Sequence, residues 1–161
     1  MKKLVYSLLT LIIAMVSFCT GVNIICKRII PAYEKLQKRE KRLNGYYELL
    51  IRWMDLVHNN KSLEQYFLQE NIRTIAVYGM GEIGTQLLLE LKKSNIDILY
   101  AIDQNVEEIE GIPVYKPESN LMEVDAIVVT PFFAFDEIKE LIQPKVACRI
   151  LSLEDIVYGI Y

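Results

Sequence analysis

A glycine turn in the middle of the chain constrains its fold most. Residues 78–84 read "YGMGEIG", so Gly79, Gly81 and Gly84 have the spacing G-x-G-x-x-G. The β-branched run "IRTIAVY" leads into this turn, and leucines at helical spacing, "TQLLLELK", follow it. A turn of this spacing between a strand and a helix is typical of dinucleotide-binding folds. We therefore predict an α/β fold with a doubly wound parallel sheet.

Each glycine has a predicted role in such a turn. Gly79 allows the tight bend, Gly81 lets a pyrophosphate approach the backbone, and Gly84 allows the helix to pack closely on the strand. The backbone amides at the helix start, together with the helix dipole, bind the phosphates. Glu82 suits the dipole but repels a phosphate unless its side chain points away. The predicted cofactor-binding residues of the turn are Gly79, Met80, Gly81, Glu82, Ile83 and Gly84.

The second strand, "DILYAI", ends at Asp103, 19 residues after Gly84. An acidic residue at this place in such folds accepts a hydrogen bond from a ribose hydroxyl. Gln104 follows instead of an arginine, which favours an unphosphorylated ribose and hence NAD. The alternative is that Asp103 only caps the turn after its own strand.

A third core strand, "VDAIVVT", ends at Thr130 and is followed by Pro131. Ligands bind outside the carboxyl ends of the strands in such sheets, so we add Thr130 and Pro131 to the predicted cofactor site. Phe132 and Phe133 come next and either form a wall for a base or close the core.

The remaining segments complete the predicted sheet. "GIPVY" is an edge strand because its proline cannot donate to a ladder, and "VACRIL" is the last core strand. The predicted order is second, first, third and fourth core strand. Helices are predicted over "AFDEIKELI" and from the capping boxes "SLEQ" and "SLED", in which Ser62 and Ser152 are the N-cap residues.

The N-terminal third has a different character. Residues 4–26 contain no charged side chain. As a helix, this run of residues is long enough to cross a bilayer. A cleaved signal peptide is the alternative, but the run is too long for one and no A-x-A site is present. Two cationic residues precede the run and seven follow it within residues 27–42, which places the C-terminal part in the cytoplasm.

Between this run and the glycine turn lies an amphipathic helical stalk. It either pairs with a second chain, giving a homodimer, or lies along the globular domain. Glu40 interrupts its apolar pattern, and Gly45 weakens the helix. Apolar residues recur every seven positions at Leu36, Leu43, Leu50 and Val57, with Tyr33, Tyr47 and Met54 in the companion row.

Charge and residue types exclude several functions. Residues 1–61 hold 11 Lys and Arg against 4 Asp and Glu, whereas residues 62–161 hold 7 against 17. The acidic domain argues against binding nucleic acid, which needs a basic surface. His58 is the only histidine and no C-x-x-C motif occurs, so we predict no metal site. No catalytic arrangement follows the glycine turn, and we predict no catalytic residues.

One resemblance extends this interpretation. The segments "IAVYGMGEIGTQLLLELK", "ILYAIDQN", "GIPVYKP", "VDAIVVTPFF" and "ILSLEDIVY" resemble the small Rossmann-like domains encoded within bacterial surface-polysaccharide gene clusters. More distantly, they are similar to the nucleotide-sugar-binding N-terminal domain of bacterial sugar acetyltransferases. The resemblance implies a nucleotide or nucleotide-sugar ligand and a role in capsule or glycan assembly. The left-handed β-helix that carries acetyl transfer is absent from this sequence, so that activity is not implied.

These observations predict three regions: a transmembrane anchor (1–28), a helical stalk (29–61) and a small Rossmann-like domain (62–161). The expected protein is a single-pass protein of the bacterial cell membrane whose cytoplasmic domain binds NAD or a nucleotide-sugar beside polysaccharide-synthesis enzymes. Two alternatives are a ligand-free scaffold for protein contacts and part of a sugar-modifying enzyme that a partner completes. We expect a binding module rather than an enzyme.

Overall fold

The structure is a computed structural model that describes residues 2–109 and 111–160. It divides into two compact units, Met1–Tyr47 and Glu48–Tyr161. The boundary falls within a long helix, so the last part of that helix belongs to the second unit.

The first unit is helical. Helix α1 spans Lys2–Ile24, a π-helical segment spans Ile25–Ile29, and helix α2 begins at Ile30 and ends at His58. This helical run is long and apolar enough to cross a membrane, and its apolar window is not buried against other described residues. The predicted helix over the stalk is confirmed, and it accommodates Gly45 without interruption.

The second unit is built on a five-stranded sheet in which all paired strands are parallel. The strands are β1 (Thr74–Tyr78), β2 (Asp97–Ile102), β3 (Val114–Tyr115), β4 (Ala126–Val129) and β5 (Arg149–Ser152). Their order is β3-β2-β1-β4-β5. This confirms the predicted order of the four core strands and the edge position of "GIPVY". Every residue of β4 and all but the first of β1 are buried, because both faces of a central parallel strand are covered.

In the described part of this unit there are four further α-helices, α3 (Leu63–Gln69), α4 (Glu82–Leu91), α5 (Phe135–Ile142) and α6 (Leu153–Gly159), and two short 3-10 helices, Phe132–Ala134 and Gln143–Lys145. Helix α3 begins with the predicted capping box, in which Ser62 and Gln65 exchange hydrogen bonds. Ser152 is the N-cap residue of α6, but its side chain makes no capping bond, contrary to the sequence interpretation.

The last part of α2 packs within this unit. Leu49, Trp53 and Leu56 are buried, so this part of the stalk lies along the domain, as one of the two predicted alternatives proposed. The Trp53 indole N–H donates to one carboxylate oxygen of Glu90 on α4, and the Leu63 amide donates to the other at 2.9 Å. One carboxylate therefore joins α2, α3 and α4.

Candidate functional site

The turn between β1 and α4 depends on its first glycine. Gly79 has φ +92°, in the left-handed region that side chains disfavour. A Cβ atom at this position would also lie 2.7 Å from Cδ of Pro131 and 2.9 Å from Oγ1 of Thr130. Gly79 is thus required by the fold itself, as the sequence predicted for the tight bend.

The third glycine allows a close approach between the helix and the turn. Gly84 lies in the first turn of α4, and a Cβ atom there would lie 2.2 Å from the carbonyl oxygen of Gly79. No side chain fits this contact, because real Cβ atoms do not come so close to an oxygen. The fold therefore also explains Gly84, and α4 starts directly against the turn.

Gly81 differs from both. Its φ of −71° and ψ of −164° suit any residue, and a Cβ atom on it would meet no atom within 4 Å. It is the N-cap residue of α4, and among the described residues no side chain caps this end of the helix. The first amides of a helix have no partner within it, so this end presents N–H donors and a positive dipole end beside open space.

Asp103 lies at the carboxyl end of β2 and binds the glycine turn. Its Oδ2 accepts from the Met80 amide at 2.7 Å, and its Oδ1 accepts from the Asn105 and Val106 amides at 2.7 and 2.9 Å. Asp103 therefore caps its own turn, as one alternative predicted, and also holds the glycine turn. A carboxylate oxygen accepts about two hydrogen bonds, so Oδ2 retains one position for a further donor.

The charge of Asp103 is stabilised where it stands. Burial acts to raise its pKa, but the hydrogen bonds from Met80, Val106 and Asn105 and the nearby ammonium of Lys116 act oppositely. The net result is a pKa below the ordinary value. Asp103 is therefore ionised at neutral pH and acts as an acceptor rather than as a proton donor.

Thr130 and Pro131 support the turn from the side of β4. Thr130 is buried, and its hydroxyl donates to the carbonyl oxygen of Gly79 at 2.7 Å, with Tyr78 as a longer acceptor at 3.3 Å. The Pro131 ring occupies the space beside Gly79. Both residues thus position the turn; a direct contact between either residue and a ligand stays a prediction.

The other predicted residues of the turn are arranged around this support. The Met80 side chain is buried, so only its backbone belongs to the turn surface. Glu82 is exposed at the first position of α4, and the next residue, Ile83, is half-buried. The exposed position of Glu82 leaves its carboxylate free to turn into solvent.

Two further features border the site. Lys116, which sequence analysis missed, follows β3 and donates to the Gln104 and Val106 carbonyl oxygens at 3.1 and 3.5 Å. The sequence signal for Lys116 was its position directly after the edge strand, because the carboxyl ends of the parallel strands all lie on the same side of the sheet. Phe132 and Phe133 form an edge-to-face pair with ring centroids 6.1 Å apart, and Phe133 is 46% exposed. Phe135 instead packs against the core.

The site offers the amide donors at the start of α4, the carboxylates of Asp103 and Glu82, and the ammonium of Lys116. Within residues 2–109 and 111–160, no group of three or more His, Cys, Asp or Glu side chains is placed to hold a metal ion. His58 ends α2 and belongs to the helix terminus rather than to this turn. The arrangement is suited to binding an anion and a hydroxyl, because amide donors and a free carboxylate acceptor position recognise these groups.

Comparison with known proteins gives one match. Residues 71–147 match the family model described as C2185-like, N-terminal. This segment is just under half of the chain and contains the glycine turn, Asp103, Thr130 and Pro131. No curated protein and no solved structure matches the chain significantly.

Proposed function

We propose that this chain is a membrane-anchored accessory protein with a Rossmann-like domain that binds a nucleotide or nucleotide-sugar, with NAD as one candidate. The phosphates lie on the first amides of α4, over Gly81. The domain works at the cytoplasmic face of a bacterial membrane, beside enzymes that assemble surface polysaccharide.

The observation that carries the ligand proposal is the contrast between the glycines. Gly79 and Gly84 are required by contacts within the protein, whereas a Cβ atom on Gly81 would meet nothing within 4 Å. A Ser, Thr, Asn or Asp side chain at an N-cap position stabilises a helix by accepting from its free amides, and glycine gives up about a few tenths of a kcal/mol of this. A phosphate group bound directly to the α4 amides explains why the position is bare.

The topology supports the same place. β1 is flanked by β2 on one side and by β4 on the other, so the chain changes direction across the sheet at β1. In open α/β sheets ligands bind outside the carboxyl ends of the strands at such a switch point. Asp103 lies at the carboxyl end of β2, and the open acceptor position on its Oδ2 suits a ribose hydroxyl.

The cellular part of the proposal has separate support. The anchor is supported by the uncharged run and the unburied apolar window of the N-terminal helical run, and the orientation by the basic residues that follow. The polysaccharide role rests on the sequence resemblance alone. Membrane fractionation and C-terminal reporter fusions test this part: an exported reporter that is active at the C-terminus would contradict it.

A ligand-free scaffold is the second candidate, and the satisfied polar groups favour it. Asp103 accepts from three backbone amides, and the Thr130 hydroxyl donates to the backbone carbonyl of Gly79, with Tyr78 as the more distant acceptor. The turn is therefore held by the protein itself, and the surface at the carboxyl ends of the strands would then serve protein contacts.

A binding experiment separates the two candidates. The full chain in mild detergent is titrated by calorimetry with NAD, ADP, UDP and UDP-sugars, alongside two variants. Gly81→Val places a branched side chain where the phosphate approaches, so we expect the dissociation constant to rise at least about tenfold. Gln86→Val introduces the same side chain at an exposed position of α4 about one and a half turns later, and we expect binding unchanged. If wild type binds none of these compounds, the scaffold replaces our proposal.

A further inference from the structure

The junction between the uncharged run and the basic part of α2 combines two features that bend helices. The segment Ile25–Ile29 is π-helical, so its turn is wider than those of the α-helices before and after it. Pro31 follows as the second residue of α2, and its nitrogen has no hydrogen to donate to a carbonyl oxygen of the preceding turn. Sharp helix kinks occur almost always at such prolines and π-helical turns. The helical run can therefore bend directly where its charged residues begin.

The part of α2 that follows this junction has an exposed apolar face within the first unit. Tyr33, Leu36, Leu43 and Tyr47 are 66%, 62%, 58% and 66% exposed. At about 100° per residue, the four side chains lie within an arc of about 80° around the helix axis. We name these four residues the α2 apolar face.

Cationic side chains flank the α2 apolar face. Residues 27–47 hold seven Lys and Arg against two Glu, which gives a net charge of +5. Arg39 and Lys35 lie about 60° and 100° from Leu36, both on the same side of the helix. An apolar face with Lys and Arg beside it is the pattern of a helix that lies in the membrane interface. The charge of this segment repels a second copy of itself, whereas it attracts anionic lipid headgroups.

We propose that residues 32–47 lie along the membrane surface, with the α2 apolar face at the boundary of the acyl chains and the basic side chains on anionic lipid headgroups. The proposal rests on the proposed anchoring, because the anchor holds α2 within reach of the surface. Long basic side chains can keep their apolar stems against the acyl chains while their charges reach the headgroups. The two tyrosines of the face suit the same depth, since tyrosine is enriched at the level of the headgroups.

Glu40 opposes this contact. It is the one acidic residue within the arc of the α2 apolar face, and anionic headgroups repel its carboxylate. Each Lys or Arg close to such a surface favours the bound state by about fivefold, and one carboxylate offsets about one of them. Because the segment holds seven cationic residues, the balance remains in favour of the surface.

Fluorescence of a single labelled cysteine tests the contact in the full chain, reconstituted in vesicles of phosphatidylcholine alone or mixed with phosphatidylglycerol. The background carries Cys19→Ala, Cys26→Ala and Cys148→Ala. Leu36→Cys places an environment-sensitive dye on the α2 apolar face, and Lys38→Cys places it on the opposite side of the helix, about 200° away. The Leu36→Cys protein also carries Lys38→Gln, so that both segments have the same charge.

We expect the Leu36→Cys dye to shift to the blue, and to be quenched by lipids with a nitroxide near the headgroup, only when phosphatidylglycerol is present. The Lys38→Cys dye should keep its aqueous emission in both kinds of vesicle. Equal emission from Leu36→Cys in both kinds overturns the proposal: aqueous emission means that the helix stands away from the lipid, and blue emission without quenching means that protein covers the face. Protein that alkaline extraction removes from the vesicles contradicts the anchor and this proposal together, while nucleotide titration in detergent tests the ligand separately.

Removal of charge gives a second measurement with the dye in the same place. Lys35→Gln together with Arg39→Gln should lower the ratio of lipid-bound to free helix roughly thirtyfold, and Glu40→Gln should raise it about fivefold. Lys92→Gln together with Lys93→Gln removes two exposed charges after α4 and should leave the ratio unchanged. No change in the first pair, or equal changes in both pairs, would overturn the lipid contact.

Discussion

The bare N-cap of α4 gives a prediction in which stability and binding change in opposite directions. Gly81 already has N-cap backbone angles, with φ −71° and ψ −164°, and space for a side chain. In the Gly81→Asp variant a carboxylate oxygen can accept from the amides of Ile83 or Gly84. The cap contributes a few tenths of a kcal/mol over glycine, and the charge at the helix dipole adds about 0.3–1 kcal/mol.

Repulsion from the neighbouring Glu82 carboxylate reduces this gain, so we expect the free protein to be stabilised by about 0.5 kcal/mol. For a domain of this size that corresponds to a rise in Tm of about 2–4 °C. Binding should change the other way, since the carboxylate occupies the amides that a phosphate would use. The loss of two charge-assisted hydrogen bonds, at about 1.5–3 kcal/mol each, weakens a nucleotide at least about a hundredfold.

The assay is thermal unfolding followed by calorimetric titration, both on the full chain in detergent. Gln86→Asp is the control, because it adds the same charge to an exposed position of α4 beyond the first turn. It should leave the nucleotide affinity within about twofold and give no rise in Tm. A Gly81→Asp protein that binds as tightly as wild type would refute the placement of phosphates at α4. A lower Tm would refute the N-cap geometry.

Three further predictions concern groups that the structure engages. Gly84→Ala should lower the free energy of unfolding by about 2–3 kcal/mol in urea titration, because its Cβ atom collides with the turn, whereas Gly159→Ala should stay within about 0.5 kcal/mol. The folded-state pKa of Asp103 is below the ordinary value of 3.8, so its charge stabilises wild type at neutral pH, and this stability is lost only as the pH falls through the lower pKa. Asp103→Asn should therefore have a lower free energy of unfolding than wild type at neutral pH, and the free energies of the two proteins should converge in acid. Glu90→Gln leaves one acceptor for two donors, which should cost about 1–3 kcal/mol and shift the fluorescence of Trp53, the single tryptophan. A Glu90→Gln protein with unchanged stability and emission would contradict the bridge.

Much of the fold was predictable from local sequence patterns. The strands around the turn are continuous β-branched runs that only a buried parallel strand accommodates, and the proline of "GIPVY" restricts that segment to an edge. The capping box at Ser62 was predictable because both partners lie within one turn of helix. Ser152 has the same local spacing, yet it belongs to β5, and its side chain makes no capping bond.

The tertiary roles of the site residues were not predictable in the same way. The spacing of Asp103 after the turn indicated a ribose acceptor, but its bond to the Met80 amide depends on how β1 and β2 align across the sheet. The bond from Thr130 to Gly79 depends likewise on the register of β4. The Glu90 carboxylate accepts from Leu63, which lies 27 positions earlier in the chain, and from Trp53, which lies 37 positions earlier. These residues belong to different helices, and no periodicity in the sequence indicates such contacts.

The engagement of these side chains bears on the choice between a binding protein and a scaffold. Asp103 and Thr130 hold the turn, Gly84 fixes α4 against it, and Glu90 fixes the far end of α4 to α2 and α3. The amides at the start of α4 are therefore held in place before any ligand arrives, which lowers the cost of ordering on binding. A scaffold needs this rigidity equally, but it gains nothing from a glycine at the N-cap, where Ser, Asn or Asp would add stability. Under our proposal a bound anion takes the place of a side-chain cap at Gly81, whereas the scaffold alternative assigns this glycine no role.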